Sequence, residues 1–180
     1  MEQLEKPDNM HIIEAKKEDA AYIALLARFT FTETFGHYFN NKKDLQDYLS
    51  RTFNVPKLRV SLNKPNNVFW LAYVDDLPAG YAKLKLHSPS KFINSQNVSQ
   101  LQKIYVLKDF LSVGVGRELQ NKVLERAAAN NSENIWLSVL KSNTRAITFY
   151  EKNDFDKIGN HDFQIGKELF EFQAMAKNLI

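Results

Sequence analysis

Tyr105-Val106-Leu107-Lys108-Asp109-Phe110-Leu111-Ser112-Val113-Gly114-Val115-Gly116-Arg117 is the stretch on which the fold turns. It begins as the apolar, β-branched and aromatic end of a strand. It ends in a run where Val115, Leu119, Val123 and Ala127 recur on one face of a helix. Between the two, Gly114 and Gly116 let the backbone approach a ligand and aim successive N–H groups outward. A helix N-terminus adds partial positive charge, so Ser112, Val113, Gly114, Val115, Gly116 and Arg117 form a candidate pyrophosphate site. Arg117, and at greater remove Lys108 and Lys122, add charge-assisted contacts. A tight turn before a helix explains the same residues, because two glycines alone are a weak motif.

Working outward, the strand of this junction starts near Ser99, and its helix runs from about Gly114 to Asn130. On the N-terminal side, His11–Ala15 reads as a strand, and Glu18 and Asp19 put acids in the first turn of a helix continuing from Ala20 to Phe29. Phe31–Phe39 is aromatic-rich and reads as a short helix or turn. Asn41 is a candidate N-cap for a helix over Lys42–Phe53, where Leu45, Tyr48 and Leu49 recur, and Pro56 ends it. The period then changes to that of strands in Val68–Val74 and Gly80–His87, a hairpin turning at Asp75-Asp76. A polar loop follows over Ser88–Asn97. Downstream, Ile135–Leu140 is a strand, Asn143–Lys152 a helix with Ser142 as its cap, and Phe155–Gly159 with Glu168–Ala176 a second hairpin. The order β-α-α-β-β-β-α-β-α-β-β mixes helices and strands without regular βαβ alternation, which disfavours a doubly wound dinucleotide-binding sheet.

Composition bounds the function. A chain of 180 residues, 44% hydrophobic and 25% charged, reads as one domain over residues 1–180 with a real core. Up to Asn97 there are 13 basic and 11 acidic residues, and after it 11 and 10, so neither part is an arm that neutralises nucleic-acid phosphates. No apolar run reaches the roughly 20 residues of a membrane span. Met1–Lys6 lacks the apolar centre of a secretion signal, so the expected location is the cytoplasm. The absence of cysteine removes disulfides, thiolate metal sites and a thiol nucleophile together. Four separated histidines make no local metal motif, and no metal is expected.

A second segment, Leu137-Ser138-Val139-Leu140-Lys141-Ser142-Asn143-Thr144-Arg145-Ala146-Ile147-Thr148-Phe149-Tyr150, places Asn143 and Tyr150 about two helical turns apart on one face. The small Ala146 between them leaves a shallow groove. An amphipathic helix with a half-buried Tyr150 is the competing reading. Together the two segments resemble the GNAT superfamily of acetyl-CoA-dependent N-acetyltransferases. Leu111, Gly114 and Gly116 stand where that family has Q/R-x-x-G-x-G/A, with Leu111 departing from it. Asn143, Ala146, Phe149, Tyr150 and Phe155 match N-x-x-A-x-x-F-Y-x-x-x-G-F, with Asp154 at the usual glycine. Phe31–His37, Asp44–Leu49 and Leu101–Val106 are similar to the PaiA-type spermidine/spermine acetyltransferases of bacteria.

The resemblance implies an α/β fold with a mixed central sheet of about seven strands flanked by helices. It also implies direct transfer from acetyl-CoA to a small amine, a polyamine by the subfamily, in a ternary complex. Tyr105, Val106 and Leu107 would run along the pantetheine arm, with the Val106 N–H donating to the thioester carbonyl, and Asn143 would contact the coenzyme. Tyr150 would protonate the departing thiolate as general acid. Relatives often carry a glutamate on the strand before the loop. Here Gln100, Gln102 and Lys103 occupy it, so the base is sought in Glu33, the preferred candidate, or in His87 or a water chain. Asp44, Asp47, Asp75 and Asp76 are candidates for attracting a polycation. Dimers are common among the relatives, and Phe35, Tyr38 and Phe39 suit a homodimer contact, the core or the acceptor groove. Two readings compete with the polyamine enzyme: a silent acyl-CoA-binding regulatory module, and an enzyme acting on protein amines or aminoglycosides.

Overall fold

Seven strands build one sheet, in the order β1-β2-β3-β4-β5-β7-β6. The computed structural model describes residues 9–180, so Met1–Lys6 lies outside the described residues. In chain order the elements are β1 (Met10–Glu14), α1 (Ala20–Phe35), α2 (Lys42–Thr52), α3 (Val55–Leu62), β2 (Asn67–Val74), β3 (Leu77–Lys85), β4 (Val98–Val106), α4 (Val115–Ala129), β5 (Asn134–Leu140), α5 (Thr144–Glu151), β6 (Asp156–Ile165) and β7 (Glu168–Asn178). This is the mixed α/β architecture expected. Among the described residues no helix is long and apolar enough to cross a membrane.

The sheet has a core on each side. One face packs Trp70, Leu84 and Leu101 against Leu119 and Val123 of α4. The other packs Phe69, Leu71 and Tyr81 beneath Ile23, Leu26 and Phe31 of α1 and Leu49 of α2. Burial on both faces explains why β2 reads as an unbroken apolar run rather than an alternating one. Asp75 and Asp76 take φ of 49° and 62°, the left-handed pair that a two-residue hairpin turn requires. In α4, Gln120 is fully buried, and neither polar atom of its side chain has a partner among the described residues.

Three local expectations are corrected. Helix α1 continues to Phe35, and a 3-10 turn follows over Gly36–Tyr38. That helix is apolar on both sides: its inner face is core, and Tyr22, Leu25 and Phe29 stay exposed. Pro56 does not stop the chain. It sits in the first turn of α3, where a missing N–H costs nothing, and the Asn54 side chain accepts the Lys57 N–H at 2.9 Å. Ser142 is not the cap of α5, since Asn143 Oδ1 accepts the Ala146 N–H at 3.1 Å. Phe35 and Phe39 are buried in the core, one of the places the sequence left open for them, and Tyr38 is half-buried.

The pair β4–β5 positions the site. It is parallel, and its register runs only through Val98↔Asn134, Ser99↔Ile135 and Gln100↔Trp136. Beyond these residues each strand keeps its other neighbour, β4 as far as Val106↔Gly80 and β5 as far as Leu140↔Phe172. A register shift leaves Gln102 as an extra residue in β4, since Lys103 pairs with Lys83 and Leu101 with Leu84. Such a bulge bends a strand away from its path. The two strands therefore part, and a wedge opens between them.

Candidate active site

The wedge is a cleft of about 730 Å³, walled by β4, β5, the end of α1, the loop before α4 and the face of α5. Its β4 wall carries unpaired backbone. The Leu107 N–H donates to the Ala79 carbonyl at 2.9 Å, so the N–H of Val106, one residue back, points the opposite way, into the gap.

At the mouth of the cleft a 3-10 turn over Lys108–Phe110 leads into the loop. Ser112 (φ 76°) and Gly114 (φ 90°) are both left-handed, the alternation that turns successive N–H groups into one concavity. Helix α4 starts at once, and its first closing bond is Glu118 N–H to the Gly114 carbonyl at 3.1 Å. The N–H groups of Val115, Gly116 and Arg117 therefore have no intrahelical acceptor and lie at the positive end of the helix. A residue missed by sequence reasoning closes this corner. Arg145, in the first turn of α5, donates from Nη2 to Ser112 Oγ at 3.0 Å. Its only sequence signal was its place two residues after Asn143.

Tyr150 lines the inner cleft at 7% exposure, edge-on to Phe149 and Phe155. Burial pushes its phenol well above the usual range, so it is a neutral hydrogen-bond donor at any ordinary pH. Tyr105 is raised for the same reason and by nearby tyrosines, and it stacks on Tyr81. Glu33 lines the cleft from α1, and its Oε2 accepts the Lys108 N–H at 3.2 Å, pinning the turn that enters the loop. Asn143 lines it too, with its side-chain oxygen committed to capping α5.

The structure thus brings Glu33, Tyr105, Val106, Ser112, Gly114, Gly116, Arg117, Asn143 and Tyr150 together on one cleft. Leu107 and Val113 pack against the two cores, and the Val115 side chain is fully buried, so only their backbone can serve a ligand there. Lys122 is off the lining and pairs with Glu125 at 3.2 Å. His87 stands at the other end of α4, 3.5 Å from Asn130, which removes it as a base. None of the four aspartates expected to attract a polycation lines the cleft. Asp44 accepts the Lys167 N–H, Asp47 pairs with Lys43 and Asp75 holds Asn9. Phe35 and Tyr38 do line it, as the acceptor-groove reading of these aromatics expects, and so does His37; the Tyr38 hydroxyl bonds Ser142 Oγ.

The parted parallel pair, its inward N–H, the left-handed loop feeding α4 and the buried Tyr150 phenol share one cleft, which suits an extended ligand with an anionic end. The chain belongs to the acetyltransferase (GNAT) family, whose model matches residues 20–155. It is 27% identical over 157 residues to an uncharacterized N-acetyltransferase from the pepI 3' region of Lactobacillus delbrueckii subsp. lactis, covering 87% of this chain and 90% of that protein. It is 32% identical to an uncharacterized N-acetyltransferase of Mycobacterium tuberculosis over 81 residues, 45% of this chain and 52% of the relative. The fold is shared with the PaiA N-acetyltransferase of Thermoplasma acidophilum solved with coenzyme A, at TM-score 0.75 and 18% identity over 94% of this chain and 98% of that one. It is also shared with YncA of Salmonella typhimurium, solved with acetyl-CoA, at TM-score 0.68 and 15% identity over 96% and 95% of the two chains.

Proposed function

We propose that this acetyltransferase binds acetyl-CoA along β4 and passes the acetyl group directly to a small amine held in the same cleft. The observation that carries this reading is the inward Val106 N–H in a cleft that also holds the buried Tyr150 hydroxyl. The donor supplies an activated thioester carbonyl and a thiolate leaving group. The N–H groups of residues 112–117, with Arg117 and Arg145 beside them, hold the pyrophosphate. The Val106 N–H donates to the carbonyl oxygen as negative charge develops there. Tyr150 donates its phenol proton in a hydrogen bond to the departing sulfur. Its raised affinity for that proton makes it a lasting donor, which shares the proton rather than surrendering it early.

The amine must lose a proton before attack, because an alkylammonium titrates near the lysine value of about 10.4. Glu33 is the candidate base, and it also anchors the loop through the Lys108 N–H. The subfamily resemblance points to a polyamine acceptor, supported by the fold shared with the PaiA protein. One charge feature weighs against that acceptor: among the described residues, Glu33 is the only acid on the cleft lining with which a polycation could pair.

Tyr150→Phe tests the reading. The expected outcome is a kcat loss of about 10²-fold or more with acetyl-CoA affinity retained, read from release of free CoA and from calorimetry. Undiminished turnover would remove Tyr150 from the leaving-group role. Tight binding of acetyl-CoA without turnover on any amine would favour the regulatory module instead.

A further inference from the structure

Lys83 of β3 and Lys103 of β4 are direct cross-strand partners on the face that α1, α2 and α3 cover. Like charges at paired positions repel. Both side chains are half-buried, Lys83 Nζ 5.2 Å from the centre of the Phe69 ring and Lys103 Nζ 5.8 Å from that of Phe53. Among the described residues neither ammonium has an acid in ion-pair range. The charges that bear on Lys83 are those of Lys103, Lys85, Lys64 and Lys57, every one positive. A fold that only needed to fill this space would gain stability from apolar side chains.

The lysines open onto a pocket of about 270 Å³ that Lys57 and the hydroxyl-bearing Thr52, Ser61 and Tyr81 also line. Gln102 and Lys103 line both this pocket and the large cleft, so the two spaces adjoin across the bulge of β4.

On the acetyltransferase reading given above, we infer that this pocket receives an anionic group, a carboxylate or a phosphate, carried by the amine that is acetylated. Lysine ammoniums and hydroxyls are the donor set for such a group, and aromatic walls suit the chain that carries it. Lys103 lies three residues from Val106, about 10 Å along the strand, which sets the spacing between the anion and the nitrogen that attacks. A polycation has the wrong charge for the pocket. Burial, then the surrounding lysines, lower Lys83 to about 8. The empty pocket therefore loses charge as pH rises through that value, and affinity for the acceptor falls with it.

Two measurements test the inference. With acetyl-CoA saturating, release of free CoA is compared for 6-aminohexanoate against 6-aminohexanamide, 6-aminohexyl phosphate against 6-aminohexanol, and spermidine. The expected result is a KM about tenfold or more lower for the anionic member of at least one pair, the pair showing whether carboxylate or phosphate fits. Lys83→Met abolishes that difference and leaves the KM for acetyl-CoA unchanged. Separately, inorganic phosphate is titrated into CoA-loaded wild-type protein carrying ¹³C-labelled lysines, and the Lys83 and Lys103 signals shift, with the Lys83 midpoint moving up from about 8. Spermidine and neutral amines turned over as well as the anionic ones, or lysine signals indifferent to phosphate, would overturn the inference while leaving the acetyltransferase standing. Lysines that respond to phosphate in a protein that acetylates no amine would support the anion pocket and sink the acetyltransferase reading.

Discussion

Two strand pairs at the centre of the sheet behave in opposite ways. The hairpin β2–β3 stays paired from Asn67↔Lys85 to Val74↔Leu77, with a single bulge at Ala79. The parallel pair β4–β5 separates after Gln100↔Trp136. In the first, strand backbone is committed to the ladder and most side chains of both faces belong to core, Lys83 excepted. In the second, backbone donors and a wedge of space remain uncommitted. Stability resides where the polar groups of the chain satisfy each other, and binding capacity resides where they do not.

The sharpest way to break the contrast uses adjacent residues of β4. Val106→Pro removes an N–H that faces the cleft, so the ladder with β3 survives, and kcat is expected to fall about 10²- to 10³-fold. Tyr105→Pro removes an N–H that faces β3 and is expected to unfold the protein. Melting curves and CoA release read the two outcomes, and equal damage from both would show that the Val106 N–H is structural.

Glu33 separates two roles in the same manner. Glu33→Gln keeps a carbonyl oxygen for the Lys108 N–H but cannot take a proton, so kcat falls about 10²-fold while acetyl-CoA affinity holds. Glu33→Ala loses both. Full activity in the glutamine variant would leave Glu33 as an anchor alone.

On the committed side of the molecule, Gln120→Met replaces a buried amide that has no partner among the described residues, and is expected to raise unfolding free energy by about 1–3 kcal/mol in urea titrations. The smallest effect belongs to the loop. A Cβ on Gly116 would meet nothing closer than Val106 Cγ2 at 3.9 Å, so Gly116→Ala is expected to stabilise α4 by about 0.5–1 kcal/mol. Gly114→Ala, at φ 90°, is expected to destabilise. Thermal melts of the two glycine variants should therefore shift in opposite directions.

Some of the site was legible because its signals are local. The glycine loop announces itself through residues that must turn and a helix that must start. Asn143 and Tyr150 share a helix face by spacing alone, and Asn41 caps α2 through the Lys43 N–H at 2.9 Å as its type and place suggest. Pro56 misled because one residue type suits both the end of one helix and the first turn of the next. Arg145 and Lys83 went unread because their partners, Ser112 and Lys103, are distant in sequence and meet only through the fold.

The amino-acid order by itself determined the seven strands and every helix but α3, the glycine-marked loop, and the absence of any thiol for a covalent route. Tertiary structure alone decided that β7 would take the edge of β5 away from β4, that the wedge between them would open beyond Gln100, and that two lysines would face each other beside it. Periodicity records which side of a strand meets the core, because that depends on the strand's own residues. Which neighbour lies along each edge, and where the pairing stops, depends on how distant segments compete for the same backbone hydrogen bonds.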